Sequence, residues 1–169
     1  MSSVTIRMAE TDSDFDAARA LGRRWVEWLG EVYPELRDKI EKKFDAVAYA
    51  KVLEDLPMIH ARPKGAVLLA WLDGRAVGCV MYAESEPGLA EFFRFFVDTP
   101  GRGRGIGRKL LEAMFAHMAA DGYDTVCFNS AKFLTHARAL YEAVGFTDAP
   151  PRPGAPEHEY FMVRPLPRA

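Results

Sequence analysis

A run of glycines and arginines between a strand-like and a helix-like segment is the part of this sequence best suited to chemistry. Residues 97–111 read VDTPGRGRGIGRKLL, so that glycine alternates with larger residues. Glycine permits backbone conformations closed to other residues and lets a ligand approach the main chain. The N-terminus of the following helix adds unpaired N–H groups and a partial positive charge. With Arg102, Arg104 and Arg108 nearby, this run predicts a phosphate or pyrophosphate site.

Three phosphate-binding patterns compete for this loop. A P-loop requires Lys and then Ser or Thr after its second glycine, whereas Gly107 is followed by Arg108 and Lys109. The dinucleotide fingerprint Gly-x-Gly-x-x-Gly also fails, because its third glycine falls on Arg108 or Ile106. The pattern Gln/Arg-x-x-Gly-x-Gly/Ala fits residues 102–107 at every position.

Residues 102–107 resemble the pyrophosphate-binding motif of the GCN5-related N-acetyltransferase (GNAT) superfamily. Downstream, residues 137–146 read ARALYEAVGF, which is similar to that superfamily's second signature, Ala…LeuTyr…GlyPhe. Tyr141 lies 34 residues after Gly107, which leaves room for a helix, a strand and the start of a second helix. Residues 90–97 resemble the superfamily's fourth strand. Both signatures therefore occur in order, on the expected elements.

The resemblance implies that the chain binds acetyl-CoA in a V-shaped cleft between its fourth and fifth strands. Backbone amides of the glycine loop would hold the pyrophosphate, and the end of the fourth strand would pair with the pantetheine arm. An N–H near Val97 would stabilise the oxyanion formed on attack. The residues implied in cofactor binding are Phe96, Val97, Arg102, Gly103, Arg104, Gly105, Ile106, Gly107, Arg108 and His136.

Tyr141 matches the superfamily position whose hydroxyl protonates the departing thiolate. A phenol with a pKa of about 10 suits this role toward a thiol whose pKa is about 8.5. The alternative is a purely structural aromatic ring that packs under the turn at Gly145 and Phe146.

Glu91 is the candidate general base, acting through water on an amine whose pKa is about 10.4. It precedes Arg102 by 11 residues, an offset at which some superfamily branches, including histone acetyltransferases, carry a base glutamate. The alternatives are a solvated carboxylate or an ion pair with Arg94, and Glu84 is a weaker candidate base. The residues that alternation places on one face of this strand are Glu91, Phe93, Phe95 and Val97.

His136 departs from the superfamily pattern, because many members carry Asn at this position. It is a substituted contact to the pantetheine arm, a proton carrier or, by default, a surface residue. Asn129 is a weak candidate for the missing amide. Aromatic and acidic residues near the first interhelical turn either wall the acceptor site or belong to the core and its solvent face: Trp25, Glu27, Trp28, Glu31 and Tyr33.

The elements that must position these residues follow from the hydrophobic periodicity, which gives a strand, two helices, three strands, then helix, strand, helix and strand. This order predicts an α/β fold with a mixed, mostly antiparallel sheet flanked by helices. The resemblance implies that strands four and five splay. The predicted early helices cover 16–29, capped by Thr11 and Asp12, and about 36–56; the later strands cover 66–72, 75–82, 89–97, 125–128 and 159–163.

Composition predicts one globular domain over residues 1–169, since 49% of residues are hydrophobic and 27% charged. The net charge of −2 gives no argument for nucleic acid, and no apolar run approaches the roughly 20 residues that span a bilayer. Cys79 and Cys127 are expected to be reduced core thiols in a cytoplasmic protein without a signal peptide. The histidines lack ligand spacing, so no metal is expected.

The combined expectation is an N-acetyltransferase that transfers an acetyl group from acetyl-CoA to a primary amine, by direct attack in a ternary complex. The alternatives are a non-catalytic coenzyme A-binding regulatory module of the same fold and, more distantly, a nucleotide-binding protein. The acceptor is a small molecule or a peptide and stays open, because variable loops build its pocket. The oligomeric state is open too, with a homodimer as the commonest form.

Overall fold

A computed structural model of the chain describes residues 3–167 and places seven strands in one sheet, in the order β1-β2-β3-β4-β5-β7-β6. The strands are β1 (Val4–Met8), β2 (Ala66–Leu72), β3 (Arg75–Glu86), β4 (Leu89–Val97), β5 (Thr125–Ala131), β6 (Thr147–Ala149) and β7 (Glu159–Pro165). The helices are α1 (Asp12–Val32), α2 (Arg37–Lys43), α3 (Ala46–Glu54), α4 (Leu56–Ile59), α5 (Ile106–Ala120) and α6 (Arg138–Ala143). The predicted mixed, mostly antiparallel sheet is confirmed. The short strand β6 was not predicted.

Helix α1 begins where the sequence places its cap. The Thr11 side chain accepts a hydrogen bond from the backbone N–H of Asp14, and the Asp14 carboxylate accepts one from the N–H of Thr11. Asp14 also accepts two hydrogen bonds from Arg7 of β1, at 2.9 and 3.0 Å. One buried carboxylate therefore caps the helix and fastens it to the sheet.

The predicted second helix over 36–56 is wrong as a single element, because the chain forms three short helices there. Phe44 ends α2, and the Asp45 carboxylate then caps α3 by accepting from the N–H of Ala48. A side chain that competes for backbone N–H groups favours a helix start over continuation. Pro57 lies in the first turn of α4, where its missing N–H costs no hydrogen bond.

Strands β4 and β5 are parallel neighbours over three residue pairs only. The paired residues end at Glu91 and Cys127, and β5 then continues along β7. The remainder of β4 therefore has a strand neighbour on its β3 side alone. This confirms the predicted splay of the fourth and fifth strands and leaves a V-shaped gap between them.

A β-bulge at Arg94 interrupts β4 inside this gap. Arg94 has φ +51, and the register with β3 shifts by one residue between Phe93 and Phe96. The expected alternation is therefore wrong. Phe95 and Val97 pack with the core on the α5 side. Phe93 and Phe96, which lie before and after the bulge and pair with Met81 and Cys79 of β3, are on the opposite face, toward α1.

Residues 3–167 contain neither a membrane-spanning helix nor a cluster of metal-binding side chains. None of the helices there is long and apolar enough to cross a membrane. Over the same residues, no three His, Cys, Asp or Glu side chains come together as a metal site would need.

Asp14→Asn is expected to lower the free energy of unfolding by about 1–2 kcal/mol, discounted because Arg7 is half exposed. Hydrogen bonding lowers the pKa of Asp14 below its unfolded value, so its stabilisation is complete at neutral pH and fades as pH falls below about 4. Urea unfolding of both proteins at pH 7 and in acid measures this. The exposed Asp16→Asn is the control, and an equal loss there would contradict the assignment.

Candidate functional site

The glycine loop forms a cradle of unpaired backbone donors. A 3-10 turn over Thr99–Gly101 follows β4, and α5 starts directly after Gly105. Gly103 and Gly105 have φ +76 and +72, a left-handed conformation that favours glycine. No described side chain caps α5, and the first internal bond runs from the Lys109 N–H to the Gly105 carbonyl. The N–H groups of residues 103–108 are thus free to bind an anion.

Gly107 lets this cradle sit close to the sheet. A Cβ atom there would lie 3.2 Å from the Phe95 ring and 3.3 Å from Leu140 of α6. The helix start, β4 and α6 therefore meet at a distance that only a glycine allows without displacement of a neighbour.

A cavity of about 300 Å³, here called the loop cavity, opens beside the cradle. Its wall joins the loop to the end of β4, to Trp28 of α1 and to the start of α6. It brings together all but one of the residues predicted for cofactor binding. Those that line it are Phe96, Val97, Arg102, Gly103, Gly105, Ile106, Gly107, Arg108 and His136, and Arg104 lies outside its wall.

The three loop arginines are not equivalent. Arg102 stacks 4.1 Å from the Trp28 ring and donates to the Val97 carbonyl at 3.0 Å. Arg108 pairs with Glu112 at 3.0 Å, one turn along α5. Arg104 forms no salt bridge with the described residues and is exposed. The sequence indicated positive charge at the cradle. It could not show that the Arg102 side chain already binds Trp28 and the Val97 carbonyl at the end of β4.

A second cavity of about 300 Å³, the inter-strand cavity, fills the gap between β4 and β5. Glu91 and Tyr141, the two predicted catalytic residues, both line it. His136 lines both cavities and therefore lies at their junction. The other residues that line the inter-strand cavity are Trp25, Lys43, Phe44, Phe92, Phe93, Arg94, Phe95, Phe128, Asn129, Ser130, Leu134 and Glu159.

His136 keeps an exposed edge but is held by aromatic neighbours. Its ring lies 4.9 Å from that of Trp28, and its Nδ1 is 3.3 Å from the Tyr33 hydroxyl. Desolvation and the charge of Arg102 lower the pKa of His136 below its ordinary value. The ring is therefore neutral at physiological pH, able to donate one hydrogen bond and accept another.

Tyr141 is packed in the core by its ring, while its hydroxyl has no partner among the described residues. Its ring is only 8% exposed and packs against Phe128 and Phe92, as a core aromatic would. Its hydroxyl makes no hydrogen bond with the described residues and is not sealed from solvent, so it opens onto the inter-strand cavity. Burial raises the pKa of Tyr141 far above its usual value. The hydroxyl thus stays protonated and can serve as a proton donor.

Glu91 is bound by an arginine that the sequence reading did not consider. Its carboxylate accepts from Arg152 at 3.1 Å, so neither alternative left open by the sequence, a solvated carboxylate or an ion pair with Arg94, is what forms. Burial raises the pKa of Glu91, and Arg152 opposes that rise. Glu84, the weaker candidate, is exposed and pairs with Lys64. Arg152 lies in a proline-rich loop 61 residues downstream, a distance over which no local pattern reports contact.

Comparisons with known proteins agree with this architecture. The profile of the Acetyltransferase (GNAT) family matches residues 23–146. An IAA acetyltransferase of Azospirillum brasilense is 32% identical over 154 residues, which cover 89% of this chain and 92% of that protein. Human N-acetylaspartate synthetase is 34% identical over 100 residues, 56% of this chain but 32% of that protein. The solved PaiA N-acetyltransferase of Thermoplasma acidophilum, in complex with coenzyme A, matches with TM-score 0.74 at 16% identity, covering 97% and 99% of the two chains, and so shows the same fold.

Arg152→Met is expected to raise the pKa of Glu91 further, because the substitution removes the nearest positive charge and leaves the burial in place. Carbon-13 NMR titration of the Glu91 carboxyl measures the change. Arg138→Met, which removes an arginine that pairs with Glu142 and Asp148 elsewhere, is the control. An unchanged or lower pKa of Glu91 would show that Arg152 does not control it.

Proposed function

This chain belongs to the Acetyltransferase (GNAT) family, and from that premise we propose that it transfers an acetyl group from acetyl-CoA to a primary amine. The observation that carries the proposal is the row of unpaired N–H groups over residues 103–108, which borders the loop cavity. That cavity meets the inter-strand cavity at His136. The inter-strand cavity is lined by Tyr141, the proposed proton donor, and by the half-buried carboxylate of Glu91. We propose that residues 1–169 act as one catalytic domain.

The loop fits the pyrophosphate of coenzyme A on chemical grounds. A diphosphate needs several donors in a concave backbone, and residues 103–108 supply N–H groups at a helix start with φ > 0 glycines. The unpaired edge of β4 at Phe96 and Val97 suits the amides of a pantetheine arm, with His136 at the cavity junction. Arg102, Arg104 and Arg108 add positive charge around the loop. Bound acetyl-CoA would supply an acetyl carbon activated as a thioester.

Tyr141 supplies the proton that the departing thiolate takes up. The hydroxyl remains protonated because its ring is buried, so a proton is available to the sulfur as the carbon–sulfur bond breaks. The amine nitrogen gains the acyl carbon as the carbon–sulfur bond breaks. The products are an N-acetylated amine and the free thiol of coenzyme A.

Glu91 takes the proton that the attacking amine must lose. Its burial raises the affinity of the carboxylate for a proton, which favours a base near neutral pH. Arg152 limits this effect and holds the carboxylate at the cavity wall. An intervening water carries the proton where the amine and Glu91 are not in direct contact.

The relatives do not fix the acceptor. The bacterial relative is an IAA acetyltransferase and the human one an N-acetylaspartate synthetase, and the human protein matches over only part of its length. The acceptor pocket lies in the inter-strand cavity, since Glu91 and Tyr141 both line it.

Gly105→Glu is expected to weaken acetyl-CoA binding about a hundredfold or more, because a carboxylate in the cradle repels the pyrophosphate. Isothermal calorimetry with acetyl-CoA measures the affinity. Gly74→Glu is the matched control, since Gly74 has a similar φ of +82 and, like Gly105, no neighbour within 4 Å of an added Cβ. Equal affinities of Gly105→Glu and the unmodified chain would refute the proposed cofactor site. Tight binding without turnover of any amine would favour the non-catalytic module.

Tyr141→Phe is expected to lower kcat about a hundredfold or more while leaving the affinity for acetyl-CoA nearly unchanged. The ring packing is preserved, so the melting temperature should not fall. Thiol release in a steady-state assay measures kcat. Tyr123→Phe, which removes a hydroxyl bonded to the Lys64 carbonyl, is the control and should keep normal turnover. Full activity of Tyr141→Phe would make Tyr141 purely structural.

A further inference from the structure

Arg94 is a half-buried cation in the wall of the inter-strand cavity. It sits in the β4 bulge at φ +51, a conformation that costs free energy for a non-glycine residue. Bulges redirect a side chain relative to its strand neighbours. No salt bridge among residues 3–167 includes Arg94, and burial lowers its pKa without a carboxylate to oppose that effect.

His60 fixes the orientation of this guanidinium. The His60 ring is 3% exposed, and its Nδ1 lies 2.8 Å from the Tyr82 carbonyl, which can only accept. Nδ1 therefore carries the proton, and Nε2 accepts from Arg94 Nη2 at 2.7 Å. Burial lowers the pKa of His60 to about 4, which keeps the ring neutral. A neutral, buried histidine thus holds the cation in place without neutralising it.

Part of the guanidinium is left without a partner. The Arg94 Nε donates to the Met81 sulfur at 3.2 Å, a weak acceptor, and Nη2 donates to His60. Nη1 has no partner among the described residues and is not sealed from solvent. Trp25 lines the same cavity, and its indole N–H is buried without an acceptor in the described chain.

The other charges of the cavity neutralise each other. Glu91 pairs with Arg152 at 3.1 Å, and Lys43 pairs with Glu159 at 2.9 Å. Arg94 is left as the one charged residue of this wall without a counter-ion among the described residues. A desolvated cation and an unpaired buried donor are costly unless an anionic acceptor reaches them.

We propose that the acceptor is an amino acid, whose carboxylate binds Arg94 while its amine lies toward Glu91 and Tyr141. The proposal rests on the acetyltransferase function proposed above and names the substrate class of that site. A carboxylate is a strong acceptor for a guanidinium N–H, and the free Nη1 can donate to it. A cavity of about 300 Å³ is at the small end of ligand sites and suits one amino acid rather than a chain segment.

The test compares amines that differ only at the carboxylate. Thiol release with acetyl-CoA is measured for leucine, phenylalanine and aspartate, and for the α-carboxamide of each. The amine of an amide is less basic than that of the acid, so a larger fraction of it is unprotonated and able to attack. A preference for the acid therefore reports binding rather than reactivity. We expect kcat/KM to be about 10- to 100-fold higher for the best acid than for its amide.

Arg94→Met is expected to abolish that acid-to-amide ratio, mainly through a higher KM for the acid, and Arg94→Lys to restore part of it. Methionine at φ +51 adds no backbone strain beyond that of arginine, since both carry a Cβ. Arg75→Met, at an exposed arginine on the β2–β3 hairpin, is the matched control. Trp25→Phe is a second variant that removes the indole N–H together with part of the ring, and it should lower the ratio by a smaller factor.

Calorimetry separates this proposal from the proposed function. Turnover of amides or of a C-terminally amidated tetrapeptide at the rate of the acids, in a chain that binds acetyl-CoA, would overturn the carboxylate site. So would the absence of turnover for every acid tested, in a chain that binds acetyl-CoA and acetylates another amine. Failure to bind acetyl-CoA would instead refute the acetyltransferase proposal. In that case the carboxylate site would still stand if calorimetry showed that the chain binds the acid and that Arg94→Met abolishes this binding.

Discussion

The loss of hydrogen bonding between β4 and β5 beyond Glu91 and Cys127 is the constraint on which the site depends. A sheet normally satisfies its backbone groups strand by strand, and an interior strand that loses its neighbour exposes donors and acceptors. Here β5 pairs with β7 instead, and α5 starts next to the part of β4 that has lost its neighbour. Both cavities border this unpaired edge. The glycine loop, Tyr141 and Glu91 therefore surround one gap in the sheet.

Helices on both sides keep the gap open. On one face, Gly107 lets α5 approach Phe95 and α6, so that Tyr141 is held by its ring while its hydroxyl remains open. On the other face, α1 presents Trp25 and Trp28 to the two cavities. The cap and ion pair at Asp14 fix the start of that helix on β1.

The sequence predicted the parts of this arrangement that depend on local chemistry. The glycine loop and the cap at Thr11 each follow from a few adjacent residues, and the resemblance indicated Tyr141 and Glu91, which both line the inter-strand cavity. Features that depend on distant packing were not accessible. Strand alternation failed at Arg94 because a bulge is decided by the partner strand, and the Arg152–Glu91 pair joins residues 61 positions apart. The helix over 36–56 failed because a single aspartate, Asp45, can end one helix by starting another.

Charge in the inter-strand cavity bears on which form of the acceptor is bound. With Glu91 and Lys43 each paired, the wall carries one unneutralised positive charge at Arg94. A zwitterionic amino acid has no net charge and leaves that positive charge uncompensated. The same molecule with a neutral amine carries a net charge of about −1 and compensates it. Because uncompensated charge is unfavourable in a desolvated site, the cavity favours the form that has already lost its ammonium proton. That form is also the nucleophile, so the cation that would select the carboxylate also reduces the work left for Glu91.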